Sequence, residues 1–535
     1  MSDEELKRLI GQVMICGFPS PYLDAQARQL ITEYHLGNVI LFSRNILSFG
    51  QISELTGALQ KLAQDTEQAD PLIIATDQEN GLVSRLGSDI PGFPGSMALA
   101  ATGEDKWVYE VAKMTGTFLE KAGINMDLAP VLDINNNPLN PVIGVRSFGD
   151  TPAQVASMGL AMARGLQDSG VFACGKHFPG HGDTHVDSHR DLPHISHDLE
   201  RIKEVELVPF EAAIHQDIPA IMTAHIVFDQ LDPLLPATLS HSVVQGLLRQ
   251  HLGFTGVITT DCLEMQAISR TVGVGAGAVR ALLAGCDMIM VSHHLERQKE
   301  AMDAIYDAVI QGVLPIARLE EARGRITGLK VRLSVANPYS PGEMKQDMVR
   351  ALNLQAQTSE RALTCLHDGQ DQVGESGGKT PFPPPRFVTL IYDAGVPPMM
   401  VQGPQFQTVW TELAAFVFGD VKTQVLTVDE AISDPDLTRE CDWLIYLSSA
   451  LTPPQERMGD LLRDHPHSAV WLVRTPYLFP WFKARGVKRI YALYENTPWM
   501  MKAAMRALLG ENAPGRLAVG VEGYAAGYKA CETGE

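Results

Sequence analysis

The chain is 535 residues long, with 45% hydrophobic and 20% charged residues, the balance of an ordinary globular protein. That composition excludes a disordered chain, a coiled coil and a collagen-like repeat; the length suits three or four domains, or two if one is a large β/α barrel. Lys and Arg number 43 against 63 Asp and Glu, a formal charge of -20. A surface this acidic repels phosphate backbones and anionic bilayers, so neither a nucleic acid nor a membrane is expected as a partner.

At the amino end, MSDEELKRLIGQVMIC carries acid where a signal peptide needs a basic stretch, and no window reaches the ~18 apolar residues of a membrane span. The seven cysteines (Cys16, Cys174, Cys262, Cys286, Cys365, Cys441 and Cys531) are scattered, without a CxxC pair. An odd set of isolated thiols suits a reducing compartment better than a disulfide framework, so a cytoplasmic protein is expected.

Eight short β-rich runs succeed one another through residues 1–335: 12–17, 38–42, 71–77, 124–130, 171–177, 220–225, 256–261 and 286–291. Most are nearly continuous apolar residues (LIIATD, AIMTAH, GVITTD, CDMIMV), as in strands buried on both faces. Stretches with apolar residues at helical spacing lie between them, such as 52–64 and 105–122. Eight such units predict a (β/α)8 TIM-like barrel over 1–335. Four of the runs end in Asp77, His177, His225 and Asp261, and barrels of this kind build their active sites at the C-terminal ends of the strands. One such residue alone is as well explained as a helix cap; four together predict a shared mouth.

A helix is expected over 315–335. Pro and Gly then punctuate 337–342, and 367–386 is rich in Gly, Asp, Ser and Pro, so 336–386 reads as a helix and Pro/Gly-rich linker. Beyond it, strands at 387–393, 421–428, 442–449, 468–475 and 488–495 alternate with helices at 407–418, 455–463 and 498–509. Five strands predict a smaller open-sheet α/β sandwich domain over 387–535, flavodoxin-like in outline. It carries no GxGxxG or GxxxxGK[ST] signature, so nucleotide binding there is unsupported.

The densest chemistry lies at 176–194, KHFPGHGDTHVDSHRDLPH, directly behind the fifth run. His177, His181, His185, His189 and His194 stand there among Asp183, Asp187 and Asp191. Imidazole and carboxylate together suit zinc or manganese, but the Gly and Pro residues make the segment an irregular loop without helical ligand spacing, and HExxH is missing. Proton transfer is the second reading: Asp187 beside His189 would raise the imidazole pKa and let it donate to a leaving oxygen. The residues alone leave both open, beside a plain structural loop.

KHFPGHGDTHVDSH at 176–189 resembles the signature of the glycoside hydrolase family 3 β-N-acetylglucosaminidases (β-N-acetylhexosaminidases). DQENG at 77–81, NPVIGVRSFG at 140–149 and GVITTDCLEM at 256–265 follow in the family's order. The resemblance implies a retaining, exo-acting glycoside hydrolase that forms a covalent glycosyl-enzyme and needs no metal or other cofactor. It implies Asp261 as nucleophile, His189 as general acid/base and Asp187 as the partner that orients it. Asp77, Arg146, Lys176 and His177 correspond to residues that hold the hydroxyls of the non-reducing N-acetylglucosamine. The implied partner is a small carbohydrate, an N-acetylglucosaminide from muropeptide fragments or short chitooligosaccharides, bound by a monomer or homodimer.

A histidine turns neutral once its proton has left, so phosphate could replace water in the second step; a phosphorylase of the same glycosides is the first alternative. A metal-dependent hydrolase using the His/Asp loop and a non-catalytic sugar-binding protein are the others. Asn80 and Leu82 stand where many relatives have Gly and Arg, and are expected to alter the rim of the sugar site. Cys262 follows Asp261 where others have Asp or Ala, and is expected to be a packing residue. Glu79 and Asp133 read as supporting carboxylates, and His225 as a residue lining the site. The second domain is similar to the α/β sandwich of many family members, with scaffolding, subunit contact or shaping of outer subsites as its expected role.

Overall fold

The computed structural model describes residues 1–66, 70–87, 89–185, 192–333, 341–368, 381–393, 417–450 and 452–528. Eight parallel strands form the first sheet: Met14–Cys16, Asn38–Leu41, Ile73–Thr76, Met126–Asp127, Phe172–Phe178, Ala220–Thr223, Val257–Thr260 and Ile289–Val291. Each falls on one of the eight apolar runs, and every residue in them is buried, as strands covered on both faces require. They neighbour one another in chain order, and the first pairs directly with the eighth (Ile15↔Met290). Closure between the seventh and eighth comes from a parallel bridge, Thr259↔Met288, in which Thr260 N donates to Met288 O at 2.9 Å. The result is a (β/α)8 barrel.

A buried carboxylate reinforces that closure. Asp287, just before the eighth strand, accepts from Ile258 N of the seventh at 3.0 Å and pairs with Arg318 (2.7 Å), Arg325 (3.0 Å) and Arg249. Outside the strands, amphipathic helices wrap the sheet. Helix Asp105–Lys121 buries Val108, Val111, Ala112, Thr115, Phe118 and Leu119, a stripe at helical spacing, and packs on Pro152–Asp168.

In the second sheet, the order is Thr364–His367, Ile490–Ala492, Ser468–Leu472, Trp443–Ser448, Phe387–Tyr392, Lys422–Thr427. Its five parallel members have the flavodoxin-like order 2-1-3-4-5, as expected. The first is an addition: Thr364–His367 pairs antiparallel with Ile490–Ala492, making six described strands instead of five. The stretch read as a helix and linker holds a 22-residue helix, Pro341–Ala362, and, beyond that expectation, an edge strand of the second sheet. The helix expected at 407–418 lies outside the described residues except for its last two.

Contacts from the second sheet's side converge on the loops after the third and fourth barrel strands. Gly95 N donates to Glu495 Oε2 at 2.8 Å, Asn135 Nδ2 to the Tyr477 hydroxyl at 2.6 Å, and Gly520 N to Asp150 Oδ2 at 2.6 Å. These are the loops that carry Asp77, Glu79, Asp133 and Arg146, so the second domain braces one side of the barrel mouth. No helix among the described residues is long and apolar enough to cross a membrane.

Candidate active site

Strand direction brings the polar ends of the apolar runs together. Cys174, buried in the fifth strand, lies within electrostatic reach of Asp77, Asp127, Lys176 and Asp261, contributed by strands three, four, five and seven. Two of the four predicted strand-end residues, Asp77 and Asp261, thus lie near one another at this end of the barrel.

On one side of it lies a buried lattice of charge. Lys176 Nζ donates to Asp77 Oδ1 and lies equally close to Glu79 Oε1, both at 2.7 Å. Arg146 forks onto Glu79, Nε to Oε2 at 2.8 Å and Nη2 to Oε1 at 2.7 Å. Burial alone would push the Glu79 carboxyl up, but Arg146 and Lys176 outweigh it and hold it well below the usual range. Likewise burial disfavours charged Lys176, yet Asp77 and Glu79 raise it above its ordinary value. Side-chain exposure is 3% for Glu79, 2% for Lys176 and 4% for Arg146, but 14% for Asp77. Asp77 is therefore the member of the lattice that opens most toward solvent, and Glu79 is its hub. Asp127, which the sequence reading passed over, sits beneath: burial lifts its carboxyl to about 7, opposed by Gln78 N, which donates to Oδ1 at 2.9 Å. The available signal was an acid inside an apolar run at a strand end, NMDLAP.

Close to this lattice, Asp133 organises the start of the His-rich loop. Its Oδ2 accepts from His177 Nδ1 at 2.7 Å, and Oδ1 accepts from His177 N at 3.1 Å and His181 N at 2.7 Å. A carboxylate only accepts, so Nδ1 of His177 carries the proton that faces Asp133. Burial, then the neighbouring His177, pushes His181 down to about 4. Gly182 makes the approach possible, because a Cβ there would lie 1.6 Å from Ile134 O. The remaining described imidazoles turn to separate partners: His185 to Asn137, His194 to Asp229, and His197 to Asp183. Asp187 and His189 lie outside the described residues.

Asp261 ends the seventh strand, partly exposed, with its own N donating to Thr223 O at 3.3 Å and its Oδ1 accepting from Cys262 N at 2.6 Å. The first bond anchors the Asp261 backbone to the sixth strand, and the second orients the carboxylate. His225, expected to line the site, is 1% exposed; its Nε2 donates to Cys262 O at 3.0 Å while Nδ1 meets Thr238 Oγ1 at 2.9 Å. It props the turn behind Asp261. Asn80 also departs from expectation. It adopts a left-handed φ of 68°, which Asn tolerates better than most residues, and its buried amide bonds Thr115 Oγ1 at 3.1 Å instead of facing the rim. Leu82 is likewise buried, as is Cys262.

Fold and site together define a barrel enzyme whose reaction centre lies at the C-terminal ends of its strands. Residues 2–329 match the family model described as the glycosyl hydrolase family 3 N-terminal domain. A β-hexosaminidase A of Pseudoalteromonas piscicida is 38% identical over 333 residues, which span 58% of this chain and 56% of that protein. A β-hexosaminidase of Pseudomonas aeruginosa (strain LESB58) is 36% identical over 309 residues, 57% of this chain and 88% of its own. Among solved structures, a glycoside hydrolase family 3 β-N-acetylglucosaminidase from Paenibacillus sp. str. FPU-7 superposes with a TM-score of 0.85 at 38% identity, covering 96% of this chain and 98% of that one. The chain belongs to glycosyl hydrolase family 3.

Proposed function

We propose that the protein is a retaining exo-β-N-acetylglucosaminidase that removes terminal N-acetylglucosamine from muropeptide fragments or short chitooligosaccharides. Asp261 attacks the anomeric carbon, His189 protonates the leaving oxygen and then activates water, and Asp187 orients His189. Asp77, backed by Lys176 and Arg146 through Glu79, takes the sugar hydroxyls together with His177. The observation that carries the reading is the Asp261 carboxylate, oriented at a strand end by the Cys262 N–H and near the same buried Cys174 as Asp77 and Lys176. The β-hexosaminidase relatives support the choice of sugar. Six buried free thiols among the described residues fit a reducing, cytoplasmic setting.

The test is a product assay on a chromogenic β-N-acetylglucosaminide, a muropeptide disaccharide and chitobiose, with anomers followed by NMR. The β-anomer of free N-acetylglucosamine is expected first. Asp261→Ala should remove nearly all turnover and His189→Ala should slow it by ~10²–10⁴, least with an activated aryl leaving group. An α-anomer as first product, or an Asp261→Ala variant with substantial activity, would overturn the assignment. Sugar 1-phosphate in phosphate buffer would favour the phosphorylase.

A further inference from the structure

Between the loops that follow the seventh and eighth barrel strands lies a group of side chains the proposed reaction does not use. Cys262 Sγ faces Glu264 Oε2 at 3.7 Å, and one ligand-capable atom from each of Cys262, Glu264 and His293 lies within 4.8 Å of the others. Among the described residues this is the one such gathering of His, Cys, Asp or Glu. A tetrahedral zinc with bonds of ~2.0–2.3 Å sets its ligand atoms ~3.3–3.8 Å apart, close to the spacing seen in this group.

The surroundings favour a site over plain packing. Glu264 is held from the facing loop: it accepts from His293 N at 2.6 Å, His294 N at 3.1 Å and His294 Nδ1 at 2.6 Å. Such outer bonds orient a ligating carboxylate. The His293 ring packs on Phe42 at 5.2 Å, which positions the imidazole beside Glu264. Thiolate, imidazole and carboxylate are a donor set for borderline-soft divalent ions.

We propose that Cys262, Glu264 and His293 form a binding site for a thiophilic divalent cation such as Zn2+. On binding, the Cys262 S–H bond breaks, its proton passes to solvent and a sulfur–metal bond forms, with no change of oxidation state. Cys262 N donates to Asp261 Oδ1, so the cation sits one residue from that carboxylate, and its charge weakens the carboxylate as a nucleophile. The slowing of turnover rests on Asp261 as nucleophile; the binding itself does not.

Full-length protein, stripped with a chelator, is titrated with Co2+ as a spectroscopic probe and then with Zn2+. One equivalent of Co2+ should produce a thiolate-to-cobalt charge-transfer absorption in the near ultraviolet, which Zn2+ bleaches as it lowers turnover of a chromogenic β-N-acetylglucosaminide. His293→Ala, with basal turnover unchanged, should bind Co2+ at least about tenfold more weakly. A wild-type titration without the thiolate band, or His293→Ala with wild-type affinity, overturns the site. The band with undiminished turnover supports the site and removes its effect on Asp261. The band in a protein inactive on every N-acetylglucosaminide supports the site and counts against the glycosidase reading instead.

Discussion

At the scale of single residues, the mouth is organised by a carboxylate that does not itself open to solvent. Glu79 neutralises two buried cations, Lys176 and Arg146, and so leaves Asp77 presented on a rigid support. Removing one partner of a buried ion pair leaves charge without compensation, at about 3–5 kcal/mol. Glu79→Ala should therefore lower unfolding stability by roughly that amount in urea titration. Glu79→Gln keeps the shape with one charge fewer, and should raise KM for the N-acetylglucosaminide while a folded circular-dichroism spectrum persists. Unchanged stability in Glu79→Ala would mean that the lattice is not a support. The sequence exposed the strand-end residues because apolar runs stop abruptly at them. It did not expose the partnerships: nothing in DQENG says that Glu79 turns inward to two cations, or that Asn80 turns into the helix beneath. Those outcomes depend on strands four and five, dozens of residues away.

Elements were legible where burial is two-sided. All eight barrel strands fall on β-rich runs, most of them nearly continuous in apolar residues, and the buried strand Trp443–Ser448 of the second sheet does the same. Strand Thr364–His367 does not, because TCLH is too short to show a period. Barrel closure is likewise invisible in one dimension, since Asp287 gathers Arg249 from before the seventh strand and Arg318 and Arg325 from a later helix. Asp287→Ala strips three guanidinium groups and Ile258 N of their common acceptor. It should cost about 3–5 kcal/mol in chemical denaturation. A loss under about 1 kcal/mol would show that the seam is held by strand pairing alone.

For the whole molecule, the coupling of the second domain to the mouth passes through a buried acid. Glu495 accepts from Gly95 N at 2.8 Å on the barrel side, and from Thr497 Oγ1 at 2.7 Å and Trp499 Nε1 at 3.2 Å on its own. Burial lifts its pKa to about 7 from an ordinary 4.5. The folded form thus holds the proton longer than the unfolded chain. Its stabilising contribution is full below about pH 4.5 and is lost as pH rises through about 7, a change on the order of 3 kcal/mol. Glu495→Gln removes the titration, so its melting temperature relative to wild type should climb between about pH 5 and about pH 8. A constant offset would contradict the buried-acid account. Asp127, also raised to about 7, titrates in both proteins and cancels in the difference.

The central claim is that Asp261 forms a covalent bond to the sugar. A fluorinated N-acetylglucosaminide with an activated leaving group reacts readily in the first step and slowly in the second, so the intermediate accumulates and intact-protein mass spectrometry reads it. The account predicts one sugar added per chain, on the peptide containing Asp261, and no adduct in Asp261→Asn. A sugar carried by any other residue, or full turnover with no adduct at any time, would contradict it.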